Sequence, residues 1–112
     1  MLNKIIIIFL VAAIGGLFMA YKIFKNEKPP FFISGVHGLL AAVGLGLLVF
    51  TQYAGTDSTP IRFGTSVLVL AALGGFFLLS FHLRKKPHPK PVVILHAALA
   101  VSGVAALVYA IL

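Results

Sequence analysis

Cysteine is absent from this chain of 112 residues, and only two of its residues are acidic. Without a thiol the chain forms no disulfide and offers no thiolate ligand to a metal. The two acidic residues, Glu27 and Asp57, both lie in polar connections between apolar segments. Small four-span multidrug exporters and other proton-coupled carriers use a carboxylate inside the membrane, so the sequence argues against that class. Hydrolytic catalysis has no apparatus either, because the chain has no Walker loop and no serine with a base and an acid as partners.

Apolar residues dominate what remains. They make up 61% of the chain, and the mean hydropathy is +1.12. A water-soluble domain of this size could not bury that much apolar surface, whereas a membrane-spanning helix needs about 20 predominantly apolar residues. Four segments meet this requirement: Ile5–Phe24, Phe31–Tyr53, Arg62–Leu83 and Val92–Leu112. The sequence therefore predicts an all-α bundle of four transmembrane helices in a single membrane domain, residues 1–112.

The chain contains an internal repeat. Residues 1–53 align without a gap on residues 60–112, so that Pro30 matches Pro89 and His37 matches His96. Each unit holds two crossings, which predicts two parallel helical hairpins related by an axis along the membrane normal. The first segment has the basic start and apolar run of a signal peptide. We nevertheless expect it to be retained, because a removable leader would not match an internal helix.

Small residues recur at equivalent places in the two units. Ala12 and Gly16 in the first segment match Ala71 and Gly75 in the third. Each pair forms a small-xxx-small motif, which lets helices approach closely. The motifs predict close helix contact, either inside the bundle or between protomers of a homo-oligomer.

Basic residues give the chain a net charge of +7, and their distribution predicts how the chain is oriented in the membrane. Seven of the nine flank the first and third connections: Lys22, Lys25, Lys28, Arg84, Lys85, Lys86 and Lys90. The positive-inside rule predicts that these connections face the cytoplasm and that both termini face outward, with a bacterial inner membrane as the expected location. Topology and attraction to anionic lipid headgroups account for the charge, so no nucleic-acid partner is expected.

Two histidines lie inside the predicted spans at equivalent positions, and an ionisable residue there is a functional-site hypothesis by default. The two copies share one helical face around these histidines. That face is formed by His37, Ala41 and Gly44 in the second segment and by His96, Ala100 and Gly103 in the fourth. Because the face is common to both units, we expect it to point at the symmetry axis.

Paired histidines in a four-helix bundle resemble the membrane b-type cytochromes, in which haem sits between helices two apart in sequence. The resemblance rests on architecture and on His37 and His96. It implies one haem b with two axial imidazoles and electron transfer in the cytoplasmic half of the bilayer, with a quinone or another redox partner. Small residues would make room for the macrocycle, and basic residues would pair with its propionates. These residues are Ala41, Gly44, Ala100 and Gly103 for the macrocycle and Lys28, Arg84 and Lys90 for the propionates.

Two other interpretations stay open. In the first, the chain is a non-catalytic accessory or scaffold subunit whose histidines form hydrogen bonds. In the second, it is a small-molecule or metal-ion carrier with His37, His82 and His96 as nitrogen ligands. The repeat partner of His82 is Ile23, so a second haem is not expected. We expect His82 to cap its helix or face the lipid headgroups, and His88 to be an exposed loop residue.

Overall fold

A computed structural model describes all 112 residues and contains four α-helices and no β-strand. The helices are α1 (Leu2–Phe24), α2 (Phe31–Tyr53), α3 (Thr59–Leu83) and α4 (Lys90–Ile111). All four are long and apolar enough to cross a membrane. A 23-residue helix such as α1 is about 34 Å long, against about 30 Å for the hydrocarbon core of a bilayer. The predicted all-α four-helix bundle is confirmed, and the chain is consistent with an integral membrane protein.

Helices α3 and α4 begin earlier than hydropathy predicts, at polar first turns. Helix α3 starts at Thr59 rather than Arg62, and α4 starts at Lys90 rather than Val92. Ser58 caps α3 by accepting a hydrogen bond from a backbone N–H of the first turn. Both helices have a proline in that turn, where the missing N–H is not needed. Polar residues and proline lower the mean hydropathy of these turns, although they suit the start of a helix. Helix α1 also begins earlier than predicted, at Leu2 rather than Ile5, and α4 ends at Ile111 rather than Leu112.

The chain reverses direction in the same way at all three connections between the helices. Asn26, Gly55 and Lys85 have positive φ angles of 59°, 112° and 57°. The residue after each of them, Glu27, Thr56 or Lys86, donates its backbone N–H to the carbonyl five residues earlier, at 2.9, 3.1 and 2.9 Å respectively. This is the bonding pattern of a Schellman motif, which satisfies carbonyls left free at a helix end. Asn26 and Lys85 are equivalent positions of the repeat, so the two hairpins turn alike.

The helices form a bundle with a square cross-section, in which α1 and α3 each pack against both α2 and α4. Helices α1 and α3 face each other diagonally, as do α2 and α4. The bundle measures 43 × 22 × 19 Å. Its buried apolar cluster lies in the half away from the basic connections and consists of Ile5, Ile6, Phe9, Leu48, Ile61, Leu68 and Leu107. His37 and His96, in the first two turns of α2 and α4, lie in the other half.

The outer surface of the bundle is apolar. Only 16 of the 112 residues are buried, and large side chains such as Ile14, Leu17 and Val101 are 68–70% exposed. A water-soluble monomer rarely exposes a large contiguous apolar surface. Lipid would cover these side chains at no hydrophobic cost, which is consistent with a bundle that spans a membrane.

Candidate functional site

His37 and His96 meet across the diagonal of the bundle. Each is the seventh residue of its helix, α2 or α4, which places it about 9 Å from the helix start. Their ring centroids are 6.2 Å apart and the ring planes are inclined by 76°. Both side chains are partly buried. The structure thus brings together the two residues that the repeat predicted to converge, and we call them the histidine pair.

Each ring of the histidine pair is fixed by a hydrogen bond to its own hairpin. Nδ1 of His37 lies 2.7 Å from the carbonyl oxygen of Ala12, and Nδ1 of His96 lies 2.7 Å from that of Ala71. A carbonyl oxygen only accepts, so Nδ1 must carry the proton and donate it. In the neutral ring Nε2 then has a free lone pair. The two halves therefore present the same tautomer at the bundle axis.

Glycines give the rings their places against α1 and α3. A Cβ added at Gly16 would lie 2.9 Å from Cε1 of His37, and one added at Gly75 would lie 3.2 Å from Cε1 of His96. Any larger side chain would push the imidazole away. The Ala-xxx-Gly motifs predicted helix contact in general terms. In the structure the backbone carbonyl of each motif's alanine accepts a hydrogen bond from a histidine, and the glycine leaves room for the ring of the same histidine.

The deeper glycines of the predicted haem face contact apolar side chains. Gly44 and Gly103 are buried. A Cβ at Gly44 would lie 3.0 Å from the ring of Phe9, and one at Gly103 would lie 2.6 Å from Cγ of Leu68. Phe9 and Leu68 are equivalent positions of the repeat, so the contact is made twice. Ala41 and Ala100, one turn beyond the histidines, are partly buried.

The basic residues predicted to neutralise propionates lie at the end of the bundle that carries the two basic connections. Lys28 and Lys90 line the same cavity there. The Nζ atom of Lys90 donates to Oδ1 of Asn26 at 2.9 Å, which ties the two connections together. Arg84 does not line that cavity. Its guanidinium bonds the hydroxyl of Ser80 at 3.2 Å and lies 4.5 Å from the ring centre of Phe81.

His82 and His88 form a second, separate histidine cluster at the basic end. Their ring centroids are 5.6 Å apart, and the ring of Phe31 lies 5.1 Å from that of His82. His88, predicted to be an exposed loop residue, is partly buried because it packs on His82. Burial lowers the pKa of the His88 ring, and the nearby His82 lowers it further, so His88 is mostly neutral at pH 7. The structure does not bring His82 to the histidine pair, so the three histidines of the carrier hypothesis do not share one site.

Comparison of the chain with protein-family models, with curated proteins and with solved structures finds no match. Any functional conclusion therefore depends on the chemistry of the residues described above.

Proposed function

We propose that the chain is a membrane-embedded b-type haem protein that transfers electrons, with His37 and His96 as the axial ligands of one iron. A single observation carries the proposal. Two imidazoles on diagonally opposed helices face each other at equal depth, and in both the Nδ1–H group donates a hydrogen bond to a backbone carbonyl oxygen.

The spacing of the rings supports a shared metal. Imidazole nitrogens bind a metal at about 2.0–2.1 Å, so two imidazoles on opposite sides of one ion have ring centres about 6 Å apart. The centroids of His37 and His96 are 6.2 Å apart. Ligating histidines usually donate their other ring N–H to a carbonyl or carboxylate, which sets the tautomer and the ring orientation. Both members of the histidine pair already have such an acceptor.

The number of ligands favours haem over a bare ion. No group of three or more His, Cys, Asp or Glu side chains is placed to hold a metal, whereas a zinc site takes three or four protein ligands. Haem iron needs only axial ligands from the protein, and with both of them imidazole it exchanges single electrons. Lys28 and Lys90 at the basic end are available to pair with propionates.

Space for the macrocycle must come from two side chains. In the packing seen here, Phe9 covers Gly44 and Leu68 covers Gly103. Haem binding requires these side chains to turn out of the bundle interior, and the glycines beneath them would then offer a flat surface. His37 and His96 need not move far, because their separation already suits one ion.

Orientation follows from the charge asymmetry. We propose that the basic connections face the cytoplasm of a bacterium, in its inner membrane, so that the histidine pair lies in the cytoplasmic half of the bilayer. A reporter that is active only outside the cytoplasm should give signal when fused after Leu112. The same reporter inserted at Glu27 should be silent, and a reporter active only in the cytoplasm should show the opposite pattern. Reversed signals at both sites would move the histidine pair to the other leaflet.

Haem content tests the proposed function. The full chain is expressed with haem supplied, purified in detergent and assayed for bound haem per polypeptide. We expect one haem per chain, because the structure offers one pair of facing imidazoles. Less than about one haem in ten chains, under conditions that load a control membrane cytochrome, would reject the proposal.

A non-catalytic accessory subunit is the second candidate, and one observation favours it. The Nδ1 bonds of the histidine pair and the contacts with Gly16 and Gly75 already hold each ring within its own hairpin. In that case each histidine joins the two helices of its own hairpin. A colourless protein that loses its helical packing when His37 is replaced by alanine would support this candidate.

A further inference from the structure

Two adjoining cavities lie at the basic end of the bundle, and neither is lined by the histidine pair. The connections after α1 and α3 enclose a cavity of about 350 Å³. Its lining includes His82, His88 and four lysines, and an adjoining cavity of about 470 Å³ shares His82, Lys28 and Lys85 with it. The four lysines are Lys28, Lys85, Lys86 and Lys90. We call the two adjoining spaces the His82 cavity.

His82 gives this cavity a polar group that lacks a partner. The side chain is only 6% exposed, and its Nε2 atom is buried without a hydrogen-bond partner. Its ring is held edge-on between Phe31 and His88. Buried polar atoms nearly always have a partner, since leaving one unsatisfied costs free energy. Because Nε2 itself has almost no accessible surface, an acceptor in the cavity would supply that partner only after the His82 ring turns, with the proton on Nε2.

Positive charge dominates the lining. The only acidic residue in it is Glu27, whose carboxylate lies 3.9 Å from Nζ of Lys22 on the neighbouring helix end. Four lysines therefore face one carboxylate that is already paired. His88 contributes little charge at pH 7, because burial lowers its pKa. The cavity can thus bind an anion through lysine ammonium groups, with His82 as an additional donor.

We propose that the His82 cavity binds a phosphate group, either the headgroup of an anionic phospholipid or phosphate from solution. Phosphate has several acceptor oxygens and so can accept from several lysines and from His82 together. The volume lies in the range of about 300–1,000 Å³ typical of small-ligand sites. Basic pockets at the ends of transmembrane helices are suited to anionic headgroups. His37 and His96 do not line this site, whereas Lys28 and Lys90, the two lysines proposed to pair with haem propionates, do.

Histidine-ring NMR provides the test, since the chain has only four histidines. The full chain, labelled with ¹³C in the histidine rings, is titrated in a zwitterionic detergent with dihexanoyl phosphatidic acid, with inorganic phosphate and with dihexanoyl phosphatidylcholine. We expect phosphatidic acid to shift the His82 and His88 signals in a saturable manner and to leave those of His37 and His96 in place. An equal response to inorganic phosphate identifies a general phosphate site, and a response to phosphatidic acid alone identifies a lipid headgroup site.

Two double variants with the same change in charge separate a built site from diffuse attraction. Lys28→Gln with Lys85→Gln removes two lysines of the cavity, and Lys25→Gln with Arg84→Gln removes two basic residues of the same end that do not line it. We expect the cavity variant to bind phosphatidic acid about thirtyfold more weakly and the control variant less than about threefold more weakly. Equal weakening in both variants, or no saturable shift of the His82 signal in the parent chain, would overturn the proposal.

Discussion

Replacing either His37 or His96 by alanine is expected to remove haem from the purified protein. The surviving imidazole can fill only one axial position, and the deleted side chain also gives up its 2.7 Å bond to Ala12 or Ala71. The loss of affinity should exceed the roughly 10–100-fold that removal of an outer-shell partner of a ligand typically costs. Haem content per chain after purification measures the effect directly.

Two other histidines provide matched controls for this experiment. His82→Ala and His88→Ala remove the same ring from the cluster at the basic end, which does not include the histidine pair. Both variants should keep the haem content of the parent chain. Equal loss of haem in all four variants would mean that binding depends on general stability, and retention of haem by both His37→Ala and His96→Ala would exclude them as ligands.

Replacing Gly103 by leucine should destabilise the contact between α3 and α4 by about 1–3 kcal/mol or more. A Cβ at this position would lie 2.6 Å from Cγ of Leu68 and 3.2 Å from the carbonyl oxygen of Gly64. The backbone of α3 cannot turn aside as a side chain can, so the two helices must separate. Unfolding of the purified protein in mixed micelles, followed by circular dichroism, measures the change in free energy.

Gly46→Leu is the control for that substitution. Gly46 lies on the exposed side of α2, and a Cβ there would have no atom within 4 Å. The new side chain would point into lipid, so the stability should change by less than about 0.5 kcal/mol. If Gly46→Leu and Gly103→Leu have the same stability, then the close approach of α3 and α4 is not present in the membrane protein.

The sequence predicts the fold well because hydropathy and the internal repeat both indicate four membrane-spanning helices. Four apolar runs separated by proline and basic residues leave little choice but four spans, and the second span is predicted to the residue as Phe31–Tyr53. The starts of α3 and α4 are less accurate, since Thr59 and Lys90 open their helices with polar first turns. Capping by Ser58 decides where α3 begins, and an apolar score does not include capping.

The site could be predicted only in outline. The repeat indicates that His37 and His96 share a face, but the register between helices decides what each ring touches. Packing brings Ala12 within 2.7 Å of His37, although the two residues are 25 apart in the chain. Phe9 covers Gly44 for the same reason, and a single helical stripe carries no information on the side chains of the next helix.

The electronic absorption and electron paramagnetic resonance spectra of the haem-loaded chain test the central claim most directly. If His37 and His96 bind one iron from opposite sides, the oxidised protein is six-coordinate and low-spin, and it does not bind carbon monoxide readily after reduction. A five-coordinate high-spin spectrum, or a chain that stays colourless when haem is supplied, would contradict the account.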